Sequence, residues 1–187
     1  MEGCRVFVSA DIEGVAGVVT PLQTLDGAAQ YAEARELMTD EVNAAVAGAF
    51  DGGATEVVVC DSHGGMQNLI PSRLDDRAAL VRGAIRDSLQ MEAFDGNFQA
   101  VFITGTHARA GTASAVLDHT WNSATIYNLR INGQIMHEAG LNALVAGWLG
   151  VPVTLVTGDR ATIVQILEDM PKTVVVAVKE GRGRALQ

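Results

Sequence analysis

Cysteine is nearly absent from this 187-residue chain: only Cys4 and Cys60 occur, both inside apolar, strand-like runs. Two buried free thiols are a simpler reading than a disulfide, and a reducing cytoplasm is the compartment expected. Positive charge is also scarce. Lys plus Arg total 13 against 22 Asp plus Glu, giving a formal charge of -9. No basic stripe suited to a phosphate backbone is present, which argues against nucleic acid as a partner. Long apolar runs are missing too, and none reaches the length of a membrane span. The N-terminus has an acid at Glu2 and only a short apolar stretch before Asp11, so it lacks the basic start and longer core of a signal peptide. No internal repeat or low-complexity linker divides the chain. A single domain of this length buries a core without disulfides or a structural metal, which leaves any metal free for chemistry.

What is present is an alternation of strand-period and helix-period segments with Gly, Asp and Asn at the joints. That pattern predicts an α/β fold: a mostly parallel sheet flanked by helices, with an inserted antiparallel hairpin. Strands are expected at Cys4–Ala10, Glu56–Cys60, Ala100–Thr104, Thr154–Thr157 and Thr173–Val178. Tyr31–Phe50 carries Met38, Val42, Ala45, Val46 and Ala49 on one helical face, and Glu33, Glu36 and Asp40 fall early, where the helix dipole favours acids. A second helix is predicted from about His137 to Trp148, with Leu141, Leu144, Val145, Trp148 and Leu149 as its apolar stripe and Gly150 and Pro152 as its stop. A third covers Ala161–Met170. Between strands, Tyr127, Leu129 and Ile131 alternate with polar residues and lead into Asn132-Gly133, a two-residue hairpin turn. Lys179 to Gln187 reads as a polar, basic tail.

Three of the apolar runs end in potential metal ligands. Asp11 and Glu13 follow the first, Asp61 and His63 the second, and His107 the third. If the runs are parallel strands, these residues meet at one sheet edge, where open α/β sheets place their ligand crevice. Asp11 and Glu13 are two apart and project to one face of an extended segment, and Gly14 and Gly17 let the backbone turn sharply behind them. The chain has four histidines, and the other two, His119 and His137, flank the hairpin. Glu138, in the first turn of the second helix, competes with His137 as a ligand, and spacing does not choose between them. Asp61 is placed either to orient His63 or simply to make a strand-end turn. Ser62 precedes a histidine without a nucleophile elbow around it.

Taken together, Ser9-Ala10-Asp11-Ile12-Glu13-Gly14, Asp61-Ser62-His63, Gly105-Thr106-His107-Ala108-Arg109, His119 and Glu138-Ala139-Gly140-Leu141-Asn142-Ala143 resemble the motifs of the zinc D-aminopeptidases of the dipeptide-transport operon type. Order and separations agree over essentially the whole chain. The resemblance implies two zinc ions per subunit: Asp11 bridging them, Glu13 and His107 completing one site, and His63 and Glu138 the other, with Glu138 preferred over His137. His119 is implied as the catalytic residue. Asn68, Arg109, Asn142 and Asp159 match polar positions of the family without a defined role.

The implied chemistry is hydrolysis of the N-terminal residue, a D-amino acid, from short peptides by attack of a metal-bound hydroxide. Three carboxylates and two neutral imidazoles around two divalent cations leave a formal charge of about +1, which favours ionisation of a bound water. Such paired metals, roughly 3.5 to 4 Å apart, also polarise the scissile carbonyl. Manganese, cobalt and iron are compatible with the same ligands. His119 is placed to serve the leaving amine or the oxyanion. Family members assemble into rings, so a homo-oligomer acting on a short peptide, without membrane or nucleic acid, is implied. They are also longer, so the single 1–187 domain is expected to lack a C-terminal portion, with Lys179 and Arg184 spaced as in the family. The rival functions are a two-metal hydrolase of another amide or phosphoester, and a non-catalytic metal-stabilised module.

Overall fold

The run from Val6 to Ala10 is buried on both faces, as befits a central strand of a parallel sheet. Val6, Val8 and Ala10 enter one apolar core, while Phe7 enters the other. A computed structural model describes residues 3–84 and 86–187, so the acidic start at Glu2 lies outside the described residues. In chain order the elements are β1 (Arg5–Ala10), α1 (Tyr31–Asp51), β2 (Glu56–Asp61), β3 (Ala78–Val81), β4 (Ala100–Thr106), β5 (Leu129–Ile131), β6 (Gln134–Met136), α2 (Glu138–Trp148), β7 (Val153–Asp159), α3 (Arg160–Asp169) and β8 (Val174–Lys179). Short 3-10 turns lie at Pro21–Gln23 and Leu89–Met91.

Six strands form one sheet in the order β3-β2-β1-β4-β7-β8, and every neighbouring pair is parallel. The remaining two, β5 and β6, form the antiparallel hairpin. Asn132 and Gly133 take φ of 51° and 86° at its turn, the left-handed pair that matches the twist of a two-residue hairpin. From β1 the chain proceeds to β2 on one side and later to β4 on the other. The carboxyl ends of these central strands therefore flank the point where strand order reverses, and a crevice opens there. Helix α1 covers one face through Ala34, Met38, Val42, Val46 and Ala49. Ala139 and Ala146 of α2 and Ile166 of α3 pack on the other face with Phe7, Val101, Ile103 and Val156.

Three features differ from the sequence-based expectation. The apolar stripe expected on α2 faces outward: Leu144, Val145 and Leu149 are exposed and Trp148 is 87% exposed. Its buried face is instead Glu138, Ala139, Gly140, Asn142 and Ala146, small residues that let the helix approach the sheet and carry two polar side chains inward. Val164, Leu167, Val174 and Val176 are exposed on the neighbouring α3 and β8. Lys179 does not begin a solvated tail. It ends β8, is buried, and spends its ammonium on three backbone carbonyls. The edge strand β3 carries no strong signal in sequence, being four residues long and only half-buried. No helix among the described residues is long and apolar enough to cross a membrane.

Candidate metal centre

The acidic segment leaves β1 by lying flat over the end of β4. Asp11 N donates to Thr104 O at 2.9 Å and Gly14 N to Gly105 O at 2.7 Å. This approach requires glycine on both sides: a Cβ on Gly14 would sit 2.0 Å from Thr106 O, and one on Gly105, whose φ is +64°, would sit 2.2 Å from Asp11 O. Lys179 fastens the same segment from below, donating to Glu13 O at 2.5 Å, Val15 O at 2.9 Å and Val18 O at 2.6 Å. Burial pushes its ammonium down to about 8, so it is still charged at neutral pH and can satisfy all three carbonyls.

His63 arrives from the loop after β2, and His107 directly after β4. Thr24 O lies 2.8 Å from His63 Nε2, Ala108 O 2.9 Å from His107 Nδ1, and Leu117 O 2.9 Å from His119 Nδ1. A carbonyl accepts only, so each ring donates N–H there and turns its other nitrogen elsewhere. All three free nitrogens face the carboxylates. His63 Nδ1 lies 3.2 Å from Asp11 Oδ1 and 2.9 Å from Glu13 Oε2. His107 Nε2 lies 3.2 Å from Glu138 Oε1 and 3.6 Å from Asp11 Oδ2. His119 Nε2 is 3.8 Å from Glu138 Oε1 and 4.0 Å from Glu13 Oε1, and its ring stacks on His107 at 3.7 Å. Asp11 thus offers one oxygen to His63 and the other to His107.

Glu138 is delivered by the first turn of α2. His137 beside it is turned away: Gly140 N donates to its Nδ1 at 2.9 Å, making it the N-cap, while Nε2 meets Asp169 at 3.1 Å. Asp61 does not touch the His63 ring. Its carboxylate accepts Asn68 N, Leu69 N and Asn68 Nδ2 at 2.6 to 2.7 Å, and Asn68 in turn donates to His63 O at 2.7 Å. Asp159 caps α3 through Thr162 N and also receives Val116 N. The loop bearing His119 holds Leu117 and Trp121 at φ of 54° and 57°, costly for such side chains and common where a loop is shaped around a site.

Charge in this cluster is mutually imposed. Burial works against ionised His107, but Glu138 with Asp11 and Glu13 outweighs it and holds the ring up to about 10. Burial likewise opposes charged His63, yet Glu13 and Asp11 raise it well above its usual value. Burial and the neighbouring Glu13 push Asp11 up to about 7. Glu13 is held well below the carboxylate range and Glu138 at about 2, because His63 and His107 respectively overcome their burial. Burial, then His107, lowers His119, which favours its neutral form.

The donor set fits divalent cations. Glu13 Oε2 and His107 Nε2 are buried and close to opposite charge, yet neither is in a directed hydrogen bond. Asp11, Glu13 and His107 bring three donors within 4.8 Å of one another, the trio that the resemblance assigns to one ion. A second such trio is His107, His119 and Glu138, whereas His63 contacts Asp11 and Glu13. Asp11, Glu13, His63, His119 and Glu138 line a cavity of about 810 Å³ that also reaches Tyr31, Trp121 and Arg184, while His107 lies buried behind them. Sequence reasoning missed Thr24, Gln90 and Trp121 as supports of the site. Thr24 and Trp121 act through backbone atoms, which carry no residue signature, and Gln90 sits in a three-residue 3-10 turn too short to show a periodicity.

Comparison with known proteins places the chain among characterised relatives. Residues 4–187 match the family model described as D-aminopeptidase. The chain is 35% identical over 184 residues to the D-aminopeptidase of Bacillus subtilis (strain 168), covering 97% of this chain and 65% of that protein. It superimposes with a TM-score of 0.92 and 34% identity on a solved structure of Zn-dependent D-aminopeptidase DppA from Bacillus subtilis, described as a self-compartmentalizing protease, covering 96% of this chain and 66% of that one. The chain therefore spans just under two thirds of the length of these relatives. With every residue of the cluster inside the matched span, the chain belongs to the D-aminopeptidase family.

Proposed function

We propose that this chain is a dinuclear zinc aminopeptidase that releases an N-terminal D-amino acid from short peptides. The observation that carries the reading is the common orientation of three imidazoles, each anchored through one nitrogen to a backbone carbonyl and presenting the other to the buried carboxylates. Asp11, Glu13, His63, His107 and Glu138 would hold the two ions, and Asp11 is suited to serve both because its two oxygens face different imidazoles. When bound, the ions supply a water that ionises near neutral pH and positive charge that polarises the scissile carbonyl.

The remaining work falls to the chain. His119 keeps Nδ1–H on Leu117 O, so its neutral ring holds a lone pair at Nε2, directed toward Glu13 and Glu138. Nε2 takes up a proton during attack and returns it to the leaving amine. The cavity is of a size that accommodates short peptides. The preference for D-residues follows the names of the relatives. Assembly of several copies, in the reducing cytoplasm, accords with the outward apolar face around Trp148 and with two unpaired cysteines. A monomer at micromolar concentration in sedimentation would contradict that assembly.

Asp11→Ala is expected to lose most bound zinc, whereas His119→Ala keeps zinc and loses turnover of D-alanyl dipeptides. Loss of zinc in His119→Ala would make it a ligand with His107 and Glu138. Full activity in either variant would refute the scheme.

A further inference from the structure

We propose that Gln90 is a positioning residue that fixes Glu138 and ties together three of the segments bearing metal ligands. The inference rests on the metal-site reading above. Gln90 lies in the 3-10 turn Leu89–Met91, away from any of the family-like motifs. Its Nε2 donates to Glu138 Oε2 at 2.6 Å, and its Oε1 accepts Asn142 Nδ2 at 2.7 Å. The direction of this relay is forced by chemistry. An ionised carboxylate only accepts, so Gln90 must present its NH2 to Glu138, its oxygen then faces Asn142, and Asn142 must present its own NH2. Glu138 and Asn142 are four residues apart and share one face of α2, so the helix supplies both the ligand and the brace.

The backbone of Gln90 completes the link. Its carbonyl lies 3.1 Å from Ser9 Oγ and 3.2 Å from Ser62 Oγ, and these hydroxyls are themselves 2.9 Å apart. Ser9 stands two residues before Asp11, and Ser62 immediately before His63. One residue is thereby bonded to the segments carrying Asp11, His63 and Glu138. Glu138 Oε1 is separately held by Trp121 N at 2.7 Å. With Oε2 committed to Gln90, the rotation of the carboxylate is fixed, and Oε1 is presented to His107. Partners of this kind, one shell behind a metal ligand, typically account for ~10- to 100-fold in metal affinity.

The test is zinc affinity measured by competition with a chromogenic chelator, for the unmodified chain, Gln90→Met, Asn142→Ala and the double variant, with metal-free melting temperature as a folding control. Gln90→Met keeps the length of the side chain and removes the amide. One of two zinc ions is expected to bind ~10- to 100-fold more weakly in Gln90→Met. Asn142→Ala should weaken the same ion, and the double variant should be no worse than Gln90→Met alone. Should Gln90→Met fail to fold, Asn142→Ala tests the same relay from its other end, since it frees Gln90 without removing any group from Glu138. Unchanged zinc affinity with a raised KM would make Gln90 a substrate contact and overturn the proposal, as would additive effects in the double variant. If the unmodified chain itself binds no zinc, the metal reading fails. If it binds two ions and Gln90→Met binds them equally well, only the role of Gln90 fails.

Discussion

Replacement of Lys179 by methionine tests whether the end of β8 holds the acidic segment in place. The substitution keeps the apolar stem and removes an ammonium bonded to Glu13 O, Val15 O and Val18 O. Hydrogen bonds from a charged donor contribute about 1.5 to 3 kcal/mol each, but three do not simply add, because dehydrating the buried ammonium offsets several kcal/mol. Leaving three buried carbonyls without donors costs about 1 to 3 kcal/mol each, and with relief of the ammonium's dehydration offsetting part of it the net loss is about 3 to 5 kcal/mol. For a domain of this length, each kcal/mol lowers the midpoint by about 2 to 4 °C, so the metal-free variant should melt about 6 to 20 °C below the parent. Thermal unfolding followed by circular dichroism gives that number directly. Zinc affinity should fall as well, because Glu13 is carried by the loosened segment. A melting shift below about 2 °C, with zinc binding intact, would refute the reasoning.

Three further outcomes are expected. Gly105→Ala places a Cβ against Asp11 O at a left-handed φ, so it should cost at least ~2 kcal/mol and reduce zinc binding, and a parent-like urea midpoint would contradict the close approach. In the metal-free protein, His107 is held at about 10, above its ordinary 6.5. Its contribution is complete below the unfolded value and is lost as pH rises through about 10, so the metal-free melting temperature should fall over that window while zinc-loaded protein resists the fall. Zinc uptake at pH 7.5 should release protons, seen as a dependence of the calorimetric heat on buffer ionisation enthalpy, and the same heat in every buffer would contradict the protonated resting cluster.

Much of the architecture was legible because its signals are local. The buried runs at Val6–Ala10 and Val57–Cys60, the spacing of Met38, Val42 and Val46, and Asn132-Gly133 each specify their element through short-range sterics and periodicity. Periodicity assigns α2 the wrong buried face because its large apolar residues outvote Ala139, Gly140 and Ala146, although the small residues are the ones that permit contact with the sheet. The strand ends drew attention to Asp11, Glu13, His63 and His107, since parallel topology gathers carboxyl ends at one edge. His119 comes from the loop before the hairpin and Glu138 from the helix after it, and only the family resemblance singled them out. Lys179, Gln90 and the Thr24 carbonyl were hidden for a different reason: each acts across a sequence separation that no local pattern encodes.

The central claim is that five side chains from four separate segments hold two divalent cations. The most direct measurement is an anomalous-difference map collected at the zinc edge from crystals grown with zinc, with metal content determined on the same protein. The account predicts two peaks per chain among Asp11, Glu13, His63, His107 and Glu138, with Asp11 touching both. A map with no peak there, or with zinc bound only at surface residues, would contradict it.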